Sequence, residues 1–229
     1  MTSQPGLMRR LGTVSTVEAL EGELERRILE GDLRAGEHLR EIELAQQYEV
    51  GRNTLRAAFD ALVRRGLLVK TRHRGVFVRI LTARDLADIY ELRTALEVQA
   101  AARLASRRMV PKEAREALAR MRRLTHRSPR SVLVEADLAF HGAIVAGSGS
   151  PRLARAHADM QVEIRLCLAQ LTEDYASVET LWGQHQEILR AIEAGNPEAA
   201  EAAVRSHLEE ATAWLVGRAA AEPERPAPD

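Results

Sequence analysis

Residues 52–79 read RNTLRAAFDALVRRGLLVKTRHRGVFVR, and the hydrophobic period changes partway through the stretch. Over 52–65, Leu55, Phe59, Leu62 and Val63 recur at helical spacing, and Gly66 ends the run. Residues 67–71 and 76–79 then alternate as two strands around the turn Arg72-His73-Arg74-Gly75. Upstream, Leu20, Leu24, Ile28 and Leu29 phase a helix stopped by Gly31, and 41–48 form a short second helix before the turn Glu49-Val50-Gly51. Three helices and a hairpin in this order predict a winged helix-turn-helix over residues 16–80.

That fold assigns roles to particular side chains. Arg52, Asn53 and Arg56 lie near the N-terminus of the third helix, the part of a recognition helix that reaches base edges in the major groove. Arginine there can bind guanine in bidentate fashion, and Asn53 can do the same for adenine. Arg74 and Gly75 at the hairpin tip can approach phosphates or the minor groove. Although the whole chain carries 33 basic and 33 acidic residues, the window 51–79 holds Arg52, Arg56, Arg64, Arg65, Lys70, Arg72, Arg74 and Arg79 against Asp60 alone. That local excess is an electrostatic footprint for a polyanion.

The remainder reads as helix. Aromatics make up only 3% of the chain, and Ala and Leu are abundant between rare Gly and Pro. Thr82 and Asp85 have capping-box spacing, so a new helix is expected directly after the second strand. Six helices are expected over about 84–107, 112–125, 131–146, 152–171, 177–194 and 197–217, with Pro111 and Pro197 at helix starts. The fold class is mainly α: a winged helix-turn-helix followed by an all-α bundle over 83–218. Residues 1–15 and 219–229 lack apolar periodicity and read as unstructured.

Four ionisable residues interrupt the apolar stripes of that bundle. Asp137 and His141 fall in the face Val134, Leu138, Ile144, Val145; His185 falls in Leu181, Ile188, Leu189, Ile192; His207 falls in Val204, Leu208, Ala211, Leu215. His185 and His207 are equidistant in sequence from Asn196, inside the breaker Gly195-Asn196-Pro197, so both sit roughly 16 Å from the turn and meet in an antiparallel hairpin. A lone inward histidine is usually a satisfied core residue, but Asp137, His141, His185 and His207 on three helices point to one buried divalent metal. Imidazoles with a carboxylate suit Zn, Ni or Mn. Arg93 shares its inward face with Leu86, Ile89, Tyr90 and Glu97, which predicts an ion pair with Glu97 one turn on. His38, His126 and His157 show no convergent partner and read as surface or packing residues.

The single cysteine, Cys167, excludes an intramolecular disulfide and a zinc site built on thiolates; its phase predicts a buried apolar role. No signal peptide opens the chain, and no apolar run approaches the length of a bilayer span. A cytoplasmic protein with no membrane association is expected.

The residues Leu39-Arg40-Glu41-Ile42-Glu43-Leu44-Ala45, Val50-Gly51-Arg52-Asn53-Thr54-Leu55-Arg56, Gly66-Leu67-Leu68 and Arg74-Gly75 resemble the DNA-binding domain of the GntR family of bacterial regulators. Glu91-Leu92-Arg93 with Glu97, then Ala136-Asp137-Leu138-Ala139-Phe140-His141, Ser148-Gly149-Ser150-Pro151, His185 with Ile188-Leu189, and His207, resemble the FCD effector domain of its FadR branch; six helices suggest the VanR-like subgroup. The chain departs from the usual pattern at Gly51, where the family has Ser, at Asn53-Thr54-Leu55, where it often has Thr-Pro-Val, and at Ala57, where it has an acid. The resemblance implies a homodimer on double-stranded operator DNA, with Arg52, Asn53, Thr54, Arg56, Arg74 and Gly75 at the interface. It also implies a small carboxylate effector held by Arg93 and Glu97 beside the metal, and a repressor of a catabolic operon rather than an enzyme. Two rivals remain at this stage: a metal-dependent enzyme, and an architectural DNA-binder whose metal is structural.

Overall fold

The computed structural model describes residues 15–169 and 177–221. The first unit comprises α1 (Thr16–Leu29), β1 (His38–Leu39), α2 (Glu41–Gln47), α3 (Arg52–Arg64), β2 (Leu68–Thr71) and β3 (Gly75–Val78). Ser15, expected in an unstructured N-terminal stretch, instead caps α1 in a complete capping box with Glu18; the other fourteen residues of that stretch lie outside the described ones. Leu20, Leu24, Leu55, Phe59, Leu62 and Leu67 are buried together, so the faces expected from periodicity form the core.

The wing carries one strand more than the hairpin expected from sequence. β1 pairs antiparallel with β3, giving the order β1-β3-β2. A two-residue strand has no readable alternation, and only the partner backbone reveals it.

Among the described residues six helices follow: α4 (Ala83–Ala105), α5 (Lys112–Met121), α6 (Arg130–Gly147), α7 (Pro151–Ala169), α8 (Val178–Ala194) and α9 (Pro197–Ala221). The Thr82–Asp85 capping box forms as its spacing predicts and starts α4. α4 is the central helix and packs against α6, α7, α8 and α9. Ala100, Ala101 and Ala105 lie fully buried along it, where a small side chain lets neighbouring backbones come close. Gly195 ends α8 in the left-handed conformation at φ 70°, and the Asn196 side chain accepts from the Ala199 amide to cap α9. α9 continues to Ala221, so residues 219–221, expected in the unstructured tail, are helical; 222–229, and 170–171 of the expected 152–171 helix, lie outside the described residues.

The two units touch through ionic contacts as well as the short connection. Arg79 donates to Asp85 at the start of α4 and to Glu163 on α7, each at 2.8 Å. Gly66, at φ 76°, faces the same carboxylate: an added Cβ would lie 2.6 Å from Glu163 Oε1. Gly66→Ala therefore combines an unfavourable left-handed backbone with displacement of Glu163, a loss of about 1–3 kcal/mol. Chemical denaturation measures it, and an unchanged midpoint would mean that this contact is loose.

Candidate metal centre and nucleic-acid interface

The bundle brings Asp137 and His141 (α6), His185 (α8) and His207 (α9) to one point, with one donor atom of each within 4.8 Å of every other. His141 Nε2 lies 3.1 Å from His185 Nε2 and 3.2 Å from His207 Nε2, and His185 Nε2 lies 3.1 Å from Asp137 Oδ1. The three imidazoles are at most 3% exposed. The equal-level reading of the α8–α9 hairpin corresponds to His185 and His207 rings whose centroids are 4.5 Å apart.

The outward nitrogens explain which way the rings face. His141 Nδ1 meets Glu97 Oε2 at 2.5 Å, His185 Nδ1 donates to the Leu181 carbonyl at 2.6 Å, and His207 Nδ1 donates to Gln184 Oε1 at 2.9 Å. Each partner is an acceptor, so each Nδ1 carries the proton and each Nε2 turns its lone pair inward. Ligands bound at about 2.0–2.1 Å stand about 2.8–3.0 Å apart at adjacent octahedral positions and about 3.3–3.4 Å apart at tetrahedral ones, and the Nε2 spacings of 3.1 and 3.2 Å lie between the two. The donor set fits a divalent cation.

The charges around the centre are arranged to the same end. Burial alone would raise the Asp137 carboxyl, but His141 and His185 beside it hold it well below the usual carboxylate range. Burial and the neighbouring His185 and His141 keep His207 low and neutral. At His141 burial acts downward, yet Glu97 and Asp137 outweigh it and draw a proton on. A metal at the centre would take the place of that proton, because imidazole ligates only through a free lone pair.

The structure corrects one expectation, for His157, and places Glu97 in the same network. Glu97, expected beside Arg93 as an effector contact, is wholly buried, and both its oxygens are engaged: Oε1 by Arg93 Nε at 2.7 Å and His157 Nε2 at 3.2 Å, Oε2 by His141 Nδ1. Glu97 therefore holds Arg93 and His141 from behind. His157, read as lacking partners, is 2% exposed and belongs to this network. The signal was present: His157, Met160, Ile164 and Cys167 share one stripe of α7, all of them buried.

Arg93 Nη2 is buried and makes no hydrogen bond; it stands 3.6 Å from Asp137 Oδ2. It faces a small cavity that Asp137 and His207 also line, with Leu133, Val134, Leu181 and Ala211 as the apolar wall. The cavity therefore has one cationic corner adjoining the candidate metal position.

On the other unit, Arg52, Asn53 and Arg56 are exposed on the first turns of α3, while Thr54 is half-buried. Arg74 and Gly75 are exposed at the wing tip. Gly75 has φ 111°, and a Cβ there would lie 2.4 Å from His38 Nε2, so glycine is required by backbone angle and by the ring of β1. The basic excess read in residues 51–79 is partly cancelled by acids from outside the window. Arg65 pairs with Glu21 and Glu25, Arg79 with Asp85 and Glu163, and Arg52 and Arg56 with Glu41.

A winged helix-turn-helix head on an all-helical body with a buried polar chamber defines a class, the two-domain DNA-binding transcription regulators. The chain matches the family model "Bacterial regulatory proteins, gntR family" over residues 16–78 and the FCD domain model over 88–210. It belongs to the GntR family and carries an FCD C-terminal domain; it is a transcription regulator, not an enzyme. It is 30% identical over 202 residues to a protein of Paenarthrobacter nicotinovorans described as "Probable D-xylose utilization operon transcriptional repressor", covering 87% of this chain and 88% of that one. It is 30% identical over 206 residues to the HTH-type transcriptional repressor GlaR of Escherichia coli K12, covering 84% and 93%. Among solved structures, a GntR transcriptional regulator from Rhodococcus sp. RHA1 is similar over 89% of this chain and 99% of that one, with a TM-score of 0.76 at 28% identity. No described helix is long and apolar enough to cross a membrane.

Proposed function

We propose that the protein is a homodimeric, cytoplasmic repressor of a catabolic operon, and that a small organic acid bound beside a divalent metal releases it from its operator. Asp137, His141, His185 and His207 would hold the metal, with Zn, Ni or Mn suited to the donor set. Arg52, Asn53, Thr54 and Arg56 would meet the major groove, and Arg74 and Gly75 the backbone or minor groove. Dimeric regulators of this head type occupy two half-sites related by the protein's own two-fold axis. The repressor names of two relatives support the sign of regulation.

The observation that carries the effector reading is Arg93 Nη2, a buried guanidinium nitrogen without a hydrogen bond that looks into the cavity beside the metal ligands. A carboxylate entering there would accept from Arg93 and complete the metal's coordination, satisfying both groups at once. The cavity, about 20 Å³ as it stands, must open to admit the acid, whose aliphatic part would meet the apolar wall.

Thermal denaturation of the metal-loaded protein against a panel of small carboxylates tests this. An acid at about 100 times its Kd stabilises by about 2.7 kcal/mol. The same acid should loosen operator binding by about 5- to 150-fold, the usual span of allosteric coupling, and Arg93→Lys, which lacks the planar fork, should lose the thermal response. Silence across the panel would leave the metal as a structural part alone.

A further inference from the structure

Glu41, the first residue of α2, stands between the two arginines of the candidate recognition helix. Arg52 Nε donates to Glu41 Oε1 and Arg56 Nε donates to Glu41 Oε2, each at 2.8 Å. Arg52 and Arg56 are one helical turn apart on the exposed face of α3, so their like charges oppose one another. One carboxylate placed between them relieves that opposition. Its side chain is 26% exposed, against 58% and 53% for the arginines, so the acid is the recessed member and the guanidinium groups project beyond it. The two arginines in turn hold the Glu41 carboxyl below the usual range.

The choice of nitrogen matters. A guanidinium has five N–H donors, and bonding through Nε leaves the two Nη groups, the end-on fork that reads guanine O6 and N7. A free arginine side chain has about 2 kcal/mol of rotamer entropy to lose on ordering. Held at Nε by Glu41, much of that freedom is already removed before DNA arrives. The same carboxylate opposes the phosphates, which carry the sequence-independent share of binding. It therefore acts with opposite sign on the two modes: it favours the bound geometry of a correct site and disfavours indiscriminate contact.

We infer that Glu41 is a specificity-determining positioning residue, which aligns Arg52 and Arg56 for base reading and suppresses binding to duplexes of any sequence. The inference rests on the reading of α3 as the recognition helix. Neither Arg40, exposed and paired with Glu43 at 3.0 Å, nor Lys70, 3.5 Å from Asp60, is joined to the Glu41 clamp, so the clamp is local to α2 and α3.

The test uses full-length protein and two duplexes, one enriched by the native protein from a random-sequence pool and one scrambled duplex of equal length. Glu41→Gln keeps the size and removes the charge. It should bind the scrambled duplex at least as tightly as the native protein, and the enriched duplex less tightly, so that the ratio of the two affinities falls about 5- to 150-fold, the value of one bidentate base contact. Glu41→Asp keeps the charge but is one methylene too short to span both arginines; it should lower the ratio without raising scrambled-duplex binding. A residue of merely structural importance would weaken both duplexes by the same factor. A ratio unchanged in both variants overturns the inference. Arg56→Ala measured beside them separates the two failures: if its ratio is also unchanged, the recognition-helix reading falls with the clamp; if its ratio drops while the Glu41 variants hold, the clamp alone falls.

Discussion

Arg56→Ala should release the protein from its operator almost completely while leaving its helicity and metal content unchanged. Arg56 lies at the fifth position of α3, exposed and facing outward, and its packing contributes little to the head, whose core on this helix is Leu55, Ala58, Phe59 and Leu62. A bidentate arginine–guanine contact discriminates by about 1–3 kcal/mol. A dimer with one contact in each half-site loses it twice, about 2–6 kcal/mol, which is roughly 30- to 20,000-fold in affinity. Titration of an operator duplex by fluorescence anisotropy, with circular dichroism on the same preparation, reads both quantities. Equal affinity with intact helicity would remove α3 from the role of reader. A variant at an ordinary phosphate contact should instead weaken all sequences alike and reduce the salt dependence by about one counterion.

The second large effect is expected at the metal centre. His185→Ala removes a candidate ligand that is fully buried and fixed from behind by the Leu181 carbonyl. Changes to groups that only orient a ligand weaken metal binding about 10- to 100-fold; loss of the ligand itself should exceed that upper figure. Gln184→Ala, which removes the acceptor behind His207, should fall within it. Dialysis against a metal buffer followed by elemental analysis ranks the variants. Full occupancy in His185→Ala would mean that the four side chains do not share one ion. The effector-dependent release of DNA should disappear together with the metal if the acid completes its coordination, whereas DNA binding without effector should persist.

One helix, α7, makes contacts in both places. His157 touches Glu97, which orients His141, and six residues further along the same helix Glu163 holds Arg79 at the foot of the wing. Sequence phase places both residues on α7, but neither contact is visible without the partner helices.

Periodicity alone carried the architecture. The switch from a 3.6-residue to a two-residue period at Gly66 defined the head, and capping at Thr82 located the start of the bundle, because helix and strand patterns depend on residues that are neighbours in the chain. The four inward candidate ligands were also legible, since an ionisable group on an apolar stripe is conspicuous within a single helix. What only the tertiary structure decided were the pairings. These are the third strand supplied by His38–Leu39, the contact of Glu97 with His141 of α6, the entry of His157 of α7 into that network, and the bonds of Glu41 to both Arg52 and Arg56. Each joins groups from separate elements, and the distance between such groups is set by packing, about which the spacing of either partner in the chain says nothing.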